Sequence, residues 1–253
     1  MQLGLVTYQW GAEWDLPTVI KNCEAAGFKG VELRTQHKHG VEPKLTKDER
    51  KDVAKRFADS SVQFIGSGTI CEFQSPDPKV LQKNIDEAKA FVELVHDIGG
   101  SGVKVRPNGF PKGVDETKTL EQIGKTLHDL AEFANGYGML IRLEVHGPGT
   151  QEIPNTKKIM EFANHDYARI CWNCNPTDKN GDGLEANFNS VRKYFGDTIH
   201  VHDFSTDYPW DEFYALLRKT NYEGWTLVEE SKVPKDILAA MKAFREKWEK
   251  VSV

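Results

Sequence analysis

The chain has 253 residues, 39% of them hydrophobic and 28% charged, with 38 acids against 33 bases for a net charge of −5. That supplies one large core and matches the length of a single barrel domain, expected over residues 1–253. The acidic balance excludes a sequence-independent nucleic-acid binder, and no apolar run approaches the ~20 residues that cross a bilayer.

The opening Met1-Gln2-Leu3-Gly4-Leu5-Val6 lacks a charged leader and a small-residue cleavage site, so it reads as a first strand rather than a signal peptide. Further strands are expected at 30–33, 62–66, 102–105, 139–145, 168–172, 198–201 and 225–228, the first covering 3–7. Between them run stripes of apolar residues spaced three and four apart. The firmest are Leu81/Ile85/Ala88/Val92/Val95, Leu120/Ile123/Leu127/Leu130/Ala134 and Ile237/Met241/Phe244/Trp248. Weaker ones fall at Val19/Cys23/Ala26, Val53/Phe57, Phe188/Val191/Phe195 and Phe213/Leu216/Leu217, and the helix at 156–164 has the faintest pattern. Glycine-bearing punctuation at Gly27, in Asn135-Gly136-Tyr137-Gly138 and in Asn221-Tyr222-Glu223-Gly224 marks helix ends. Strand and helix alternating eight times predicts an α/β fold, a single (β/α)8 TIM barrel. The rival, a doubly wound open sheet, would show a glycine-rich turn after the first strand, where this chain has Tyr8-Gln9-Trp10-Gly11-Ala12.

Four cysteines in a chain of this length do not make a disulfide framework, and a reducing cytoplasm is expected. Cys171-Trp172-Asn173-Cys174 has C-x-x-C spacing but no second pair and no helix start. Asp178-Lys179-Asn180-Gly181-Asp182-Gly183 opens like a calcium loop, yet Asn189 stands where the bidentate Glu belongs.

Chemistry in such barrels collects at the C-terminal ends of the strands, and residues two apart share a face. Polar residues alternate at several ends: Glu144 and His146 after the fifth strand; Trp172, Asn173 and Asn175 after the sixth; His200 and His202 on the seventh; Glu229 and Glu230 after the eighth. Carboxylates and imidazoles brought together this way suit one divalent ion of mixed oxygen and nitrogen ligation, such as Mn, Co, Mg or Zn. Taken singly, each is as well explained as a hydrogen-bonded polar residue at a strand end.

With Gly27-Phe28-Lys29-Gly30-Val31-Glu32-Leu33, Leu143-Glu144-Val145-His146-Gly147, His200-Val201-His202-Asp203 and Tyr222-Glu223-Gly224-Trp225-Thr226-Leu227-Val228-Glu229, the chain resembles the xylose-isomerase-like TIM barrels along essentially its whole length. That family includes sugar phosphate isomerases/epimerases, ketose 3-epimerases and inosose dehydratases. The resemblance implies metal ligands at Glu144, His200 and Glu229, with Asn173 at the position where the family usually has Asp. An Asn oxygen coordinates without charge, leaving two carboxylates in place of three. It further implies that Glu144 and Glu229 flank the reacting carbon, one removing a proton beside a carbonyl. His202 replaces the family's usual Lys and is expected as an extra acid or base. Glu32, His37, Lys104, Arg106, His146 and Trp172 are expected to contact the sugar, with upper-loop aromatics such as Tyr8, Trp10, Trp14, Phe73, Tyr208 and Trp210 stacking on it or merely packing their loops.

The expected activity is a metal-dependent sugar isomerase or epimerase. A keto-sugar or 3-keto-glycoside lyase/hydratase through the same enolate is the alternative, and a non-catalytic sugar-binding barrel is the reading from another class. Four acids and no base in the segment 203–212, where barrels commonly grip phosphate, favour an unphosphorylated carbohydrate. No nucleic-acid or membrane partner is expected, and homo-oligomerisation is left open.

Overall fold

The computed structural model describes residues 1–253. Eight parallel strands close a barrel in sequence order: β1 Gln2–Val6, β2 Gly30–Arg34, β3 Gln63–Glu72, β4 Gly102–Arg106, β5 Leu140–Glu144, β6 Ala168–Trp172, β7 Phe195–Val201 and β8 Trp225–Val228. β1 pairs with β8 through Gln2↔Trp225 to Leu5↔Val228, which completes the ring. Helices α1 Tyr8–Gly11, α2 Leu16–Ala26, α3 Lys47–Ala58, α4 Pro78–Ile98, α5 Glu116–Asn135, α6 Ile153–Ala163, α7 Leu184–Val191, α8 Trp210–Lys219 and α9 Ile237–Val251 surround it. No helix is long and apolar enough to cross a membrane.

All eight expected strands are present, and the departures from expectation are local. The faint pattern at 156–164 belongs to α6, which begins at Ile153 and ends with Asn164 as a left-handed cap (φ 39°). Phe195, expected on a helix stripe, opens β7, where it pairs with Ile170. In the stretch before β8 the left-handed residue is Asn221 (φ 49°) rather than the glycine. The largest difference is β3, which continues past Gly66 to Glu72.

The main core lies between sheet and helices, where Phe28, Phe91, Val95, Ile123, Leu127 and Phe213 are fully or almost fully buried. Burying each such side chain is worth about 1.5–3 kcal/mol. Inside the barrel a small apolar layer of Val6, Ile65, Trp225 and Leu227 is capped at the strands' N-terminal end by an ion pair. There Arg142, 0% exposed, donates from Nε and Nη2 to the two carboxylate oxygens of Asp197, each at 2.7 Å, and from Nη2 to Ser101 Oγ at 2.6 Å. Burial alone would raise the Asp197 carboxyl; Arg142 beside it holds it below its ordinary value. A Cβ on Gly66 would meet Gly102 O and Arg142 Nη1, so the bare backbone there makes room for the guanidinium. Gly102 on the neighbouring strand leaves room for the same side chain, and β3 runs on past Gly66 after a register shift against β2.

Candidate active site

Glu144 ends β5, His200 is the penultimate residue of β7, and Glu229 follows β8 directly. Parallel register brings the three together, and one ligand atom from each lies within 4.8 Å of the others. His200 Nδ1 is 3.3 Å from Glu229 Oε2 and 3.7 Å from Glu144 Oε1. The Glu144 and His200 side chains are buried, and Glu229, at 12% exposed, is the member that reaches the mouth.

Below them, Lys104 of β4 donates from Nζ to Glu144 Oε2 at 2.5 Å. Burial opposes the Lys104 charge, but Glu144, Glu229 and Glu32 around it raise its pKa, so the ammonium stays charged. Burial would likewise raise Glu144; Lys104 and then His200 hold it well below the ordinary carboxylate value. His200 is raised well above its usual value, since Cys171, Glu229 and Glu144 outweigh the desolvation that acts against its charge. Glu229 is lowered, with His200 overcoming burial and the repulsion of Glu144.

Several buried polar atoms here have no hydrogen-bond partner: both oxygens of Glu32, both ring nitrogens of His200, Asn173 Oδ1 and His146 Nδ1. Unpartnered buried groups of this kind cost about 1–3 kcal/mol each. Of these, the open His200 nitrogens lie in one cluster with Glu144 and Glu229, and oxygen and nitrogen donors so gathered fit a divalent cation. Asn173 contributes its backbone as well as its orphaned side chain, accepting at its carbonyl from His202.

The other expected residues divide by what they touch. Arg106, at the end of β4, reaches the mouth and donates from Nε to Glu72 Oε1 at 3.0 Å. Asn108 Nδ2 donates to the same oxygen at 2.8 Å, and Gln74 Nε2 to Glu72 Oε2 at 3.0 Å. Glu72 was absent from the sequence reading, because the strand that carries it was expected to stop at Gly66. His146 is half-buried beside Glu144, and burial lowers its pKa with Arg106 and Lys104 adding to the effect. His37 lies near Thr7, its Nδ1 3.4 Å from Oγ1, and burial together with His39 and Arg34 pushes it down to about 4. Glu32 and Lys104 lie beneath the mouth at 0% and 1% exposed.

Trp172 and His202 are placed differently from expectation. Trp172 is 0% exposed, stacked on Phe213 with centroids 6.0 Å apart and tilted on Phe195 at 5.4 Å, so no ring face is open to a sugar. Its Nε1 donates to Tyr208 Oη at 3.0 Å, and that hydroxyl donates to Asp178 Oδ2 at 2.9 Å. Tyr208, Trp10, Phe73 and Trp210 are also buried, leaving Tyr8 and Trp14 as the partly exposed upper aromatics. His202 follows the end of β7, and its ring bridges two backbone carbonyls, Nδ1 to Glu229 O at 2.6 Å and Nε2 to Asn173 O at 2.8 Å. A carbonyl only accepts, so this ring ties the ends of β6 and β8 together and turns neither nitrogen toward the mouth. Of the sequence decoys, the four cysteines are free and buried, and Asp178 points into the Tyr208 contact.

The profile of the xylose isomerase-like TIM barrel family matches residues 20–247. An inosose isomerase from Bacillus velezensis is 25% identical over 129 residues, which span 51% of this chain and 45% of that protein. Among solved structures, a 3-keto-D-glucoside 4-epimerase from E. coli superposes with a TM-score of 0.83 at 13% identity, covering 99% of both chains. The IolI protein with a bound zinc atom superposes with a TM-score of 0.80 at 18% identity, covering 100% of this chain and 98% of the other.

Proposed function

The chain belongs to the xylose isomerase-like TIM barrel family, and from that premise we propose that it is a metal-dependent sugar isomerase or epimerase acting on an unphosphorylated carbohydrate. The observation that carries the reading is the convergence of Glu144, His200 and Glu229, with Asn173 Oδ1 and both His200 nitrogens buried and unpartnered. Those four residues would hold one divalent ion. When bound, it would supply the Lewis acidity that a weakly acidic sugar C–H needs while negative charge develops on the neighbouring carbonyl oxygen. The kinship with proteins named for isomerising inosose and epimerising a 3-keto-glucoside favours a keto-sugar substrate.

The two carboxylates have unequal roles. Glu144 is pinned by Lys104 and is a weak proton acceptor, so it orients and anchors. Glu229 reaches the mouth, has no lysine contact as short, and takes the proton from the carbon beside the carbonyl. Arg106 and Asn108, held by Glu72, and the half-buried His146 bind substrate hydroxyls from the β4 and β5 side. His202 acts on the reaction by fixing the backbone of Asn173 and Glu229. The acidic run Asp203, Asp207, Asp211 and Glu212 repels a phosphate dianion from the β7 exit.

The test has two arms. Metal analysis of protein purified without chelators should find a divalent ion in the wild type and none in Glu229→Ala; a variant that keeps stoichiometric metal refutes the ligand set. Keto-sugars incubated with the protein in D₂O should gain deuterium at the carbon next to the carbonyl. Absence of exchange across the panel would leave a sugar-binding barrel, and release of an aglycone would mark a lyase.

A further inference from the structure

Glu32 is a fully buried carboxylate without a hydrogen bond. It stands on β2 with 0% exposure, and it lies a layer below the proposed metal ligands. An ionised carboxylate in that position is costly unless something answers it. The nearest basic atom is His200 Nε2, 3.4 Å from Glu32 Oε1, itself without a partner. The same ring turns its other nitrogen, Nδ1, toward Glu229 and Glu144. The fold also clears space for this contact: a Cβ on Gly68 of β3 would fall 2.7 Å from Glu32 Oε1.

We infer that Glu32 is a positioning residue which accepts the Nε2 proton of His200, so that the imidazole meets a divalent cation through Nδ1. The inference rests on the metal reading proposed above and adds to it the nitrogen that binds and the residue that chooses it. A neutral imidazole has one N–H and one lone pair, and only the lone pair can ligate. A carboxylate on the Nε2 side fixes the proton there, leaves the lone pair on the Nδ1 side, and makes the ring a stronger donor. Glu32 contacts neither substrate nor cation in this arrangement. It acts through His200.

Zinc affinity and the tautomer of His200 test the proposal together. Zinc-loaded protein labelled with ¹⁵N-histidine should show His200 with a protonated Nε2 and a zinc-bound Nδ1, assigned by loss of the signals in His200→Gln. Glu32→Gln removes the charge, while Glu32→Asp keeps it and draws it back by one methylene. Both should weaken zinc binding by about 10–100-fold, the usual effect of removing such an outer partner. Gly68→Ala, which crowds the carboxylate without altering it, should weaken binding in the same direction. Glu93→Gln, a substitution on the exposed face of α4, should bind as the wild type does. Circular dichroism and thermal melts establish that each variant is folded.

A zinc-bound Nε2, or Glu32→Asp and Glu32→Gln both within twofold of wild type, overturns the positioning role while leaving the metal site intact. Wild-type affinity in Glu32→Asp with a loss only in Glu32→Gln also overturns it, because charge rather than the contact would then be what matters. A wild type that binds no zinc, manganese, cobalt or magnesium overturns the metal reading and this inference at once.

Discussion

Lys104→Met isolates the charge balance under the site. Lysine and methionine are both unbranched and of similar volume, so packing should change by less than about 1.5 kcal/mol. The ammonium that leaves is 2.5 Å from Glu144 Oε2, with side-chain exposures of 2% and 3% for the pair. Breaking a buried pair by removing one partner costs about 3–5 kcal/mol, a large share of the ~5–15 kcal/mol that holds a domain folded. A cation bound at Glu144 would offset part of that loss, and metal at 100 times its dissociation constant contributes about 2.7 kcal/mol. The expected pattern is therefore a variant roughly 3–5 kcal/mol less stable than wild type in EDTA, with the gap narrowed when a saturating divalent ion is present. Because Glu144 is then no longer shared with an ammonium, metal should also bind at least tenfold more tightly. Urea unfolding of both proteins, with chelator and with metal, reads all of this. A cost under 1 kcal/mol in EDTA would refute the view that Lys104 neutralises Glu144. Equal stabilisation of both proteins by metal would refute the shared carboxylate.

Three further outcomes are expected. Asn173→Asp should tighten divalent-ion binding by tenfold or more in calorimetric titration, since it restores a third carboxylate; unchanged affinity removes Asn173 from the ligand set. His202→Leu should cost about 1–3 kcal/mol in denaturant unfolding, because the ring that links the Asn173 and Glu229 carbonyls is lost and a strand-end carbonyl loses its donor, and an unaltered midpoint would mean that the ring does not tie the strand ends. Burial pushes the Asp178 carboxyl up to about 8 against the pull of its Tyr208 hydrogen bond, while in an unfolded chain it titrates near 3.9. Between those values the folded state holds the extra proton, so stability falls as pH rises from ~4 to ~8 and levels off above. Asp178→Asn should abolish this slope, gaining on wild type by about 1.4 kcal/mol per pH unit in that window; a difference independent of pH would show that the carboxyl is not protonated in the fold.

The strands and most of the strand-end cluster were legible because β structure repeats every two residues, and a polar residue at the end of an otherwise apolar strand stands out. The missing pieces had physical reasons. Gly66 and Gly68 make β3 look finished, although they are there to let Arg142 and Glu32 into the barrel, and so Glu72 beyond them went unseen. Aromatic side chains announce neither burial nor exposure. Trp172 was expected on a sugar and instead stacks on Phe213, while Tyr208, for which loop packing stood beside stacking, packs on Phe213 and bonds Asp178. For His202 the two-residue alternation was carried one step too far, since β7 stops at Val201 and the following backbone turns the ring onto two carbonyls.

Alternation identifies a face, but it does not give depth, and depth separates the groups at the mouth from those beneath it. The distance from a residue to the end of its strand supplies the missing coordinate. Arg106 and Arg34, the last residues of β4 and β2, are only partly buried, whereas Lys104 and Glu32, two positions earlier on the same faces, are 1% and 0% exposed. One pleat therefore turns a side chain that can touch substrate into one that can touch only the layer above it. On β5 the same two-residue step separates Glu144, buried in the candidate site, from Arg142, in the plug with Asp197. Lys104 and Glu32 then have a common logic. Each is a buried side chain that reaches the candidate site through a proposed ligand, Glu144 for one and His200 for the other. The site's electrostatics are accordingly set from the layer beneath, by residues a substrate cannot reach.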